Sequence, residues 1–220
     1  MRCLLLLKFI LIFSVFTGNA QNQANQWNIQ LRTGDLLFCS ANTGTLSKAI
    51  DQVTQTGAGT HFDHVGIAEI LNDTVWVLHA APQKGVCRET IDRFLDHDKS
   101  PARSVVVYRL KSRYFKAIPS AIQKGTTLLG QPYNCTYIIK DQGYYCSEYI
   151  YELFKSDSIF TLNPMTFRDP GTGQFLSGWS DHYKKLGIPV PEGEPGCNPN
   201  GLAASDKLEI AGQLIFMGKN

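Results

Sequence analysis

Cys146 lies in Tyr144-Tyr145-Cys146-Ser147-Glu148-Tyr149, where a loop gives way to a run with helical spacing. A helix start carries unpaired N–H groups and the positive end of the dipole. Both favour a thiolate, and the same N–H groups can receive an oxyanion. A buried structural cysteine is the commoner occupant of such a position, so the chemistry must be argued from its company. A cysteine nucleophile needs a base, and His61-Phe62-Asp63-His64-Val65-Gly66-Ile67 offers one. His64 opens an apolar strand-like run, so its ring can project from the strand end. His79 lies late in the next run, and a hairpin turning at Asn72-Asp73 makes the two histidines cross-strand neighbours. A neutral His79 can accept a hydrogen bond from the N–H of His64, which fixes tautomer and ring orientation. Asp63 is the rival for that supporting place, but strand alternation points it away from His64. Glu148 stands in the first helical turn, where a carboxylate serves the dipole as readily as a substrate.

Two other readings use some of the same residues. His61 and His64 form His-x-x-His, and with His79 and a cysteine they would make four zinc ligands. In an extended chain, however, residues three apart face opposite sides. The thiol reading needs neither a metal nor an organic cofactor. The remaining alternative is a non-catalytic, wall-associated or ligand-binding module, which a disulfide at Cys146 would favour.

These residues must be positioned by ordinary elements. Gly34-Asp35 reads as a turn and Leu36 to Cys39 as a strand, while Leu46, Ala49, Ile50 and Val53 have helical spacing. His64 to Ala68 and Thr74 to Ala80 read as strands around the Asn72-Asp73 turn. In the second, Val75, Val77 and His79 share one face, and Trp76, Leu78 and Ala80 the other. A short helix is expected at 90–95, a strand at 104–110, and a helix over 114–129 that starts afresh at Pro119. Tyr149, Ile150, Leu153 and Phe154 mark the buried face of a further helix. Residues 157–220 are rich in Gly and Pro, and only a final strand near 208–216 is read there. Neighbouring hairpin strands with helices grouped apart indicate an α+β fold.

The segment Leu129-Gly130-x-Pro132-Tyr133 followed by Cys146-Ser147 at a helix start resembles the nucleophile segment of NlpC-type papain-like amidases. In those the cysteine comes first; here His64 and His79 precede Cys146. That reversed order, with Gly-Asp-Leu-Leu-Phe at 34–38, His-Val-Gly at 64–66 and Tyr-Cys-Ser-Glu at 145–148, resembles the circularly permuted YaeF/YiiX-type amidases. The resemblance spans roughly 33–154 and implies a circularly permuted papain-like fold, an antiparallel sheet or partial barrel packed with helices. It implies Cys146 as nucleophile, His64 as base and His79 as orienting residue. Tyr133 matches the family's tyrosine beside the nucleophile, and with Ser147 and Glu148 it completes the oxyanion and substrate-binding candidates. Members often carry glutamate where His79 stands, so the imidazolium here is expected to be less stabilised. The implied activity is amide cleavage through a thioester, on a cell-wall peptide or an N-acyl compound. The same scaffold also supports esterase or lipid acyl-transfer chemistry.

Composition sets the outer bounds. The chain has 220 residues, 43% hydrophobic and 18% charged, which suits one globular domain and excludes a disordered chain. Lys+Arg 21 against Asp+Glu 19 becomes 19 against 19 once Arg2 and Lys8 are set aside, so there is no electrostatic case for nucleic acid. Residues 1–20 combine those basic residues, an apolar run from Phe9 to Phe16 and the small-residue site Gly18-Asn19-Ala20. This reads as a signal peptide, with 21–220 as a single mature hydrolase domain, exported to the periplasm or beyond the cell. The run is shorter than the roughly 20 residues a membrane span needs, and no later run reaches that length. Besides Cys3 and Cys146 there are Cys39, Cys87, Cys135 and Cys197, whose pairing the spacing leaves open. With Cys146 they make five, and an odd number in an exported chain leaves at least one thiol unpaired.

Overall fold

A computed structural model describes residues 27–42, 44–95 and 104–215. The expected signal peptide, residues 1–20, lies outside the described residues. The strands are β1 (Leu36–Ser40), β2 (Phe62–Leu71), β3 (Thr74–Ala81), β4 (Gly85–Thr90), β5 (Val105–Leu110), β6 (Asn163–Pro164), β7 (Pro195–Gly196) and β8 (Leu208–Leu214). The helices are α1 (Thr45–Val53), α2 (Ile91–Leu95), α3 (Ile118–Thr127), α4 (Cys146–Phe154), α5 (Ser177–Leu186) and α6 (Pro199–Ala203). Six strands form one antiparallel sheet in the order β4-β3-β2-β1-β5-β8, with β1 central. β6 and β7 make a separate two-stranded ribbon.

Alternation along the strands splits the core in two. Leu36, Phe38, Val65, Ile67, Leu78 and Ala80 face one side, where Tyr149, Ile150, Leu153 and Phe154 of α4 cover them. Leu37, Cys39, Ala68, Val75, Val77 and Val107 face the other, packed with Ile91 and Phe94 of α2. The β2–β3 hairpin turns at Asn72 and Asp73, both at positive φ (49° and 58°), the backbone that short polar side chains tolerate and tight hairpins require.

The helix expected over 114–129 is a 3-10 segment at Ser112–Ala117 followed by α3, with Pro119 in the first turn, where its missing N–H costs nothing. β4 was not apparent in the sequence: Gly85-Val-Cys-Arg-Glu-Thr90 has little apolar alternation, and its buried Val86 is its main hydrophobic anchor. The Gly- and Pro-rich stretch also proves structured, holding α5, α6 and the β6–β7 ribbon. Among the described residues no helix is long and apolar enough to cross a membrane.

Candidate active site

α4 begins at Cys146, as the sequence indicates. The Glu148 carboxylate accepts the Tyr145 N–H at 3.1 Å and the Asn134 amide at 3.1 Å, closing a capping box at the helix start. This occupies Glu148, which is buried and is not among the residues lining the cleft below. Expected as a substrate contact, Glu148 is here engaged in shaping the helix end on which Cys146 sits. Tyr145 locks the same end, its hydroxyl oxygen accepting the Cys197 N–H at 3.1 Å.

The Cys146 sulfur lies against β2, 3.9 Å from the Asp63 carbonyl oxygen, and the N–H groups of Ser147, Val65 and Cys146 itself are directed at it. Burial nevertheless dominates and pushes the thiol up to about 11. The helix start thus fails to deliver the resting thiolate expected from its dipole. The charged form loses more by leaving water than it gains from nearby N–H groups.

Cys146, Ser147, Tyr133 and Asp63 line a cleft of about 480 Å³. Its other walls are largely apolar, among them Ile50, Val53, Phe160, Phe167, Trp179 and Leu202. The Ser147 hydroxyl donates to the Cys197 carbonyl at 3.1 Å, and both the backbone N–H and the side chain of Ser147 act on the Cys146 sulfur. Tyr133 is held as a neutral phenol, pushed well up by burial first, with Tyr137 and Cys146 adding to it. It can donate to an oxyanion but cannot act as a base. Asp63 faces this cleft and accepts a short hydrogen bond from Ser47.

His64 turns to the other side of the strand. Its Nε2 meets His79 Nδ1 at 2.9 Å, and both rings pack near Phe94. His79 is fully buried, and its Nε2 lies 3.1 Å from a Glu89 carboxylate oxygen, whose partner oxygen accepts from Lys84. Glu89 is held down at about 2, first by the His79 hydrogen bond and, against burial, by Lys84. Cys87 sits 3.4 Å from the same His79 nitrogen, and burial pushes its thiol to about 11. The family resemblance would put a carboxylate at position 79; here a carboxylate, that of Glu89, lies one hydrogen bond beyond His79. Its only sequence signal was a charged residue in an unrecognised strand.

Gly66 explains the close approach of the two strands. A Cβ there would fall 2.6 Å from Val77 and 3.3 Å from the His79 Cβ, so the glycine of His-Val-Gly clears the space that His79 occupies. The start of β2 is pinned by Asn200, fully buried on α6, which accepts the Phe62 N–H at 2.9 Å and donates to Thr54 at 2.8 Å. Two β4 bonds dock the Tyr133 segment: Val86 N–H to the Gln131 carbonyl at 2.8 Å, and Gly130 N–H to the Val86 carbonyl at 2.9 Å.

His61 stands apart, paired with Asp51 at 3.0 Å, so the four-ligand zinc set of His61, His64 and His79 is not assembled. Cys39, Cys87, Cys135, Cys146 and Cys197 are all free thiols here.

Residues 30–211 match the profile of the permuted papain-like amidase enzymes, the YaeF/YiiX or C92 family. The chain belongs to this family. It is a papain-like cysteine amidase, a cysteine-type amide hydrolase, and in its chain strands β2 and β3, with His64 and His79, precede helix α4 with Cys146. A crystal structure described as metalloprotein yiiX from Escherichia coli O157:H7 has the same fold, at 20% identity and a TM-score of 0.65. It covers 82% of this chain and 96% of its own. Among curated proteins, none matches the chain significantly.

Proposed function

We propose that Cys146 is the nucleophile of an amide hydrolysis, with His64 as its base and His79, backed by Glu89, orienting that base. The observation that carries this reading is the chain of hydrogen bonds from Glu89 through His79 to His64, at the strand position where the sulfur lies. A neutral His79 donating Nε2–H to the Glu89 carboxylate has a bare Nδ1. His64 can then donate its Nε2–H to that atom, which leaves the lone pair on its own Nδ1. With Nε2–H given to His79, Nδ1 is the ring nitrogen left to take the thiol proton.

The reaction follows from that tautomer. The thiol proton passes to His64 as sulfur adds to the amide carbon, and the oxyanion is received by N–H groups at the start of α4 and by the Tyr133 hydroxyl. The imidazolium protonates the leaving amine, giving a thioester. Water, deprotonated by His64, then releases the acid and regenerates the thiol. A thiol held near 11 suits this order, because the proton leaves only as the bond forms. The apolar cleft favours an acyl group with a hydrocarbon or aromatic body, as in an N-acyl compound or an apolar cell-wall peptide segment. The basic start, apolar run and Gly18-Asn19-Ala20 support export, with cleavage before Gln21, and N-terminal sequencing of the secreted or periplasmic protein tests that.

The main test incubates the protein with N-acyl p-nitroanilides of increasing chain length and with muropeptides, followed by mass spectrometry. Free acid and an acyl adduct on Cys146 are expected, with the longer acyl chains preferred and all turnover lost in Cys146→Ala. An adduct on another cysteine, or turnover that survives Cys146→Ala, overturns the reading. Capture of the acyl group by an added alcohol or amine in preference to water would make the enzyme an acyl transferase.

A further inference from the structure

The sheet face away from the cleft carries a second set of chemically competent side chains. Cys87 on β4 stands directly opposite His79 on β3, and Glu89 follows two residues later on the same face. One ligand atom from each, His79 Nε2, Cys87 Sγ and a Glu89 oxygen, lies within 4.8 Å of the others. Nε2 is 3.4 Å from the sulfur and 3.1 Å from the carboxylate oxygen. A tetrahedral zinc ion, with bonds of about 2.0–2.1 Å to nitrogen and oxygen and 2.3 Å to sulfur, holds its N and S ligands roughly 3.5 Å apart and its N and O ligands roughly 3.3 Å apart. Both pairs that include His79 already stand at ligand separation, and the sulfur and the carboxylate oxygen lie within 4.8 Å of each other, on two strands of one tight hairpin. His79 and Glu89 are buried while Cys87 is half-buried, so the set opens to solvent on the cysteine side. Lys84, paired with the other Glu89 oxygen, is half-exposed and can swing away as a cation enters.

We propose that His79, Cys87 and Glu89 form a zinc site, and that filling it switches the catalytic base off. On binding, Cys87 gives up its proton to solvent, so that one thiolate and one carboxylate balance the dication, and water completes the fourth position. Ligation through Nε2 leaves the proton of a neutral His79 on Nδ1, the atom that faces His64 Nε2 at 2.9 Å. The bond between the histidines then reverses: His79 donates and His64 Nε2 accepts. The His64 proton must move to its own Nδ1, the position that has to be bare to take the thiol proton. This switching half rests on the function proposed above; the binding half does not.

The test titrates the metal-free protein with Co²⁺ and then Zn²⁺. One equivalent of cobalt should produce a thiolate-to-cobalt charge-transfer band that zinc displaces and that Cys87→Ser abolishes, with Cys87→Ala used if serine disturbs packing. Zinc should slow iodoacetamide alkylation of Cys146 and hydrolysis of an N-acyl p-nitroanilide at least tenfold in the wild type, and leave both unchanged in Cys87→Ser. Absence of a Cys87-dependent band overturns the site. A band with undiminished alkylation and turnover overturns the switch. Inhibition that persists in Cys87→Ser puts the ion on Cys146 and overturns both. Failure of the catalytic reading alone looks different: turnover survives Cys146→Ala while the Cys87-dependent band remains.

Discussion

Cys146 and Glu89 lie on opposite faces of the same sheet, are about equally buried at 5% and 7% exposure, and are shifted in opposite senses. Cys146 is pushed up to about 11, and Glu89 is held down at about 2. Burial opposes charge in both. The difference is in the partners: Cys146 has N–H dipoles around it, whereas Glu89 has a histidine at hydrogen-bond distance and a lysine ammonium. One face keeps its reactive group neutral, and the other keeps a charge in place. On the proposed reading Cys146 is therefore idle until His64 acts on it, and the fixed polarity that prepares His64 is stored across the strand.

The strongest way to break this comparison is to remove the base. His64→Ala should lower kcat by about 10²–10⁴, the range for general-base help, while the Cys146 thiol stays protonated and slow to alkylate at neutral pH. Asp63→Asn should cost far less, because that carboxylate faces the cleft and is engaged by Ser47. Steady-state kinetics on an N-acyl p-nitroanilide decides. Near-wild-type turnover in His64→Ala, or a larger loss in Asp63→Asn, would show that the charge supporting Cys146 sits on the cleft side.

A smaller effect is expected one hydrogen bond further out. Glu89→Ala removes the acceptor that fixes the His79 tautomer. A hydrogen bond to a charged group is worth about 1.5–3 kcal/mol, which corresponds to roughly 10–100-fold in rate if all of it is lost in the transition state. Glu89→Gln keeps an oxygen for Nε2–H and should recover most of that loss in kcat with KM unchanged. A purely structural glutamate would show equal loss in both variants, tracking thermal stability instead of the kcat–KM split.

The two faces were unequally legible in the sequence. The pairing of His64 with His79 is contiguous in the chain: fifteen positions, one turn signal at Asn72-Asp73 and clean alternation in Thr74–Ala81 are enough to bring the rings together. The start of α4 was equally plain, because Tyr149, Ile150, Leu153 and Phe154 repeat with helical spacing. Glu89 was hidden because β4 pairs on one edge only and buries few apolar side chains, so no period-two pattern announces it. The far wall of the cleft, from Ile159 to Lys207, was hidden for another reason: two-residue strands and long-range pins such as Asn200 to Phe62, 138 positions apart, leave no local pattern. The sign of the Cys146 shift was also out of reach. A helix start can be read from residue types, but the burial that outweighs it depends on the whole cleft.

The mildest effect sharpens the comparison within the nucleophile side itself. Glu148 is a buried carboxylate at the same helix end, and burial pushes it up to about 7, against the smaller lowering from the Tyr145 N–H and the Asn134 amide. It has no cation beside it of the kind Lys84 gives Glu89. Its ordinary value is 4.5, so between about 4.5 and 7 the folded state holds more of this proton than the unfolded state does. Stability from this group is therefore greatest below that window and falls as pH rises through it, by at most about 3.5 kcal/mol at roughly 1.4 kcal/mol per unit. Glu148→Gln keeps an oxygen for the two donors and removes the charge. Denaturant unfolding of the two proteins from pH 4 to 8 should show the variant gaining on the wild type as pH rises and matching or exceeding it at pH 8. Turnover should change little, because the side chain lies outside the cleft. If the wild type instead gains on Glu148→Gln between pH 5 and 7, this carboxylate is compensated as Glu89 is, and the neutrality of the nucleophile side does not extend beyond Cys146.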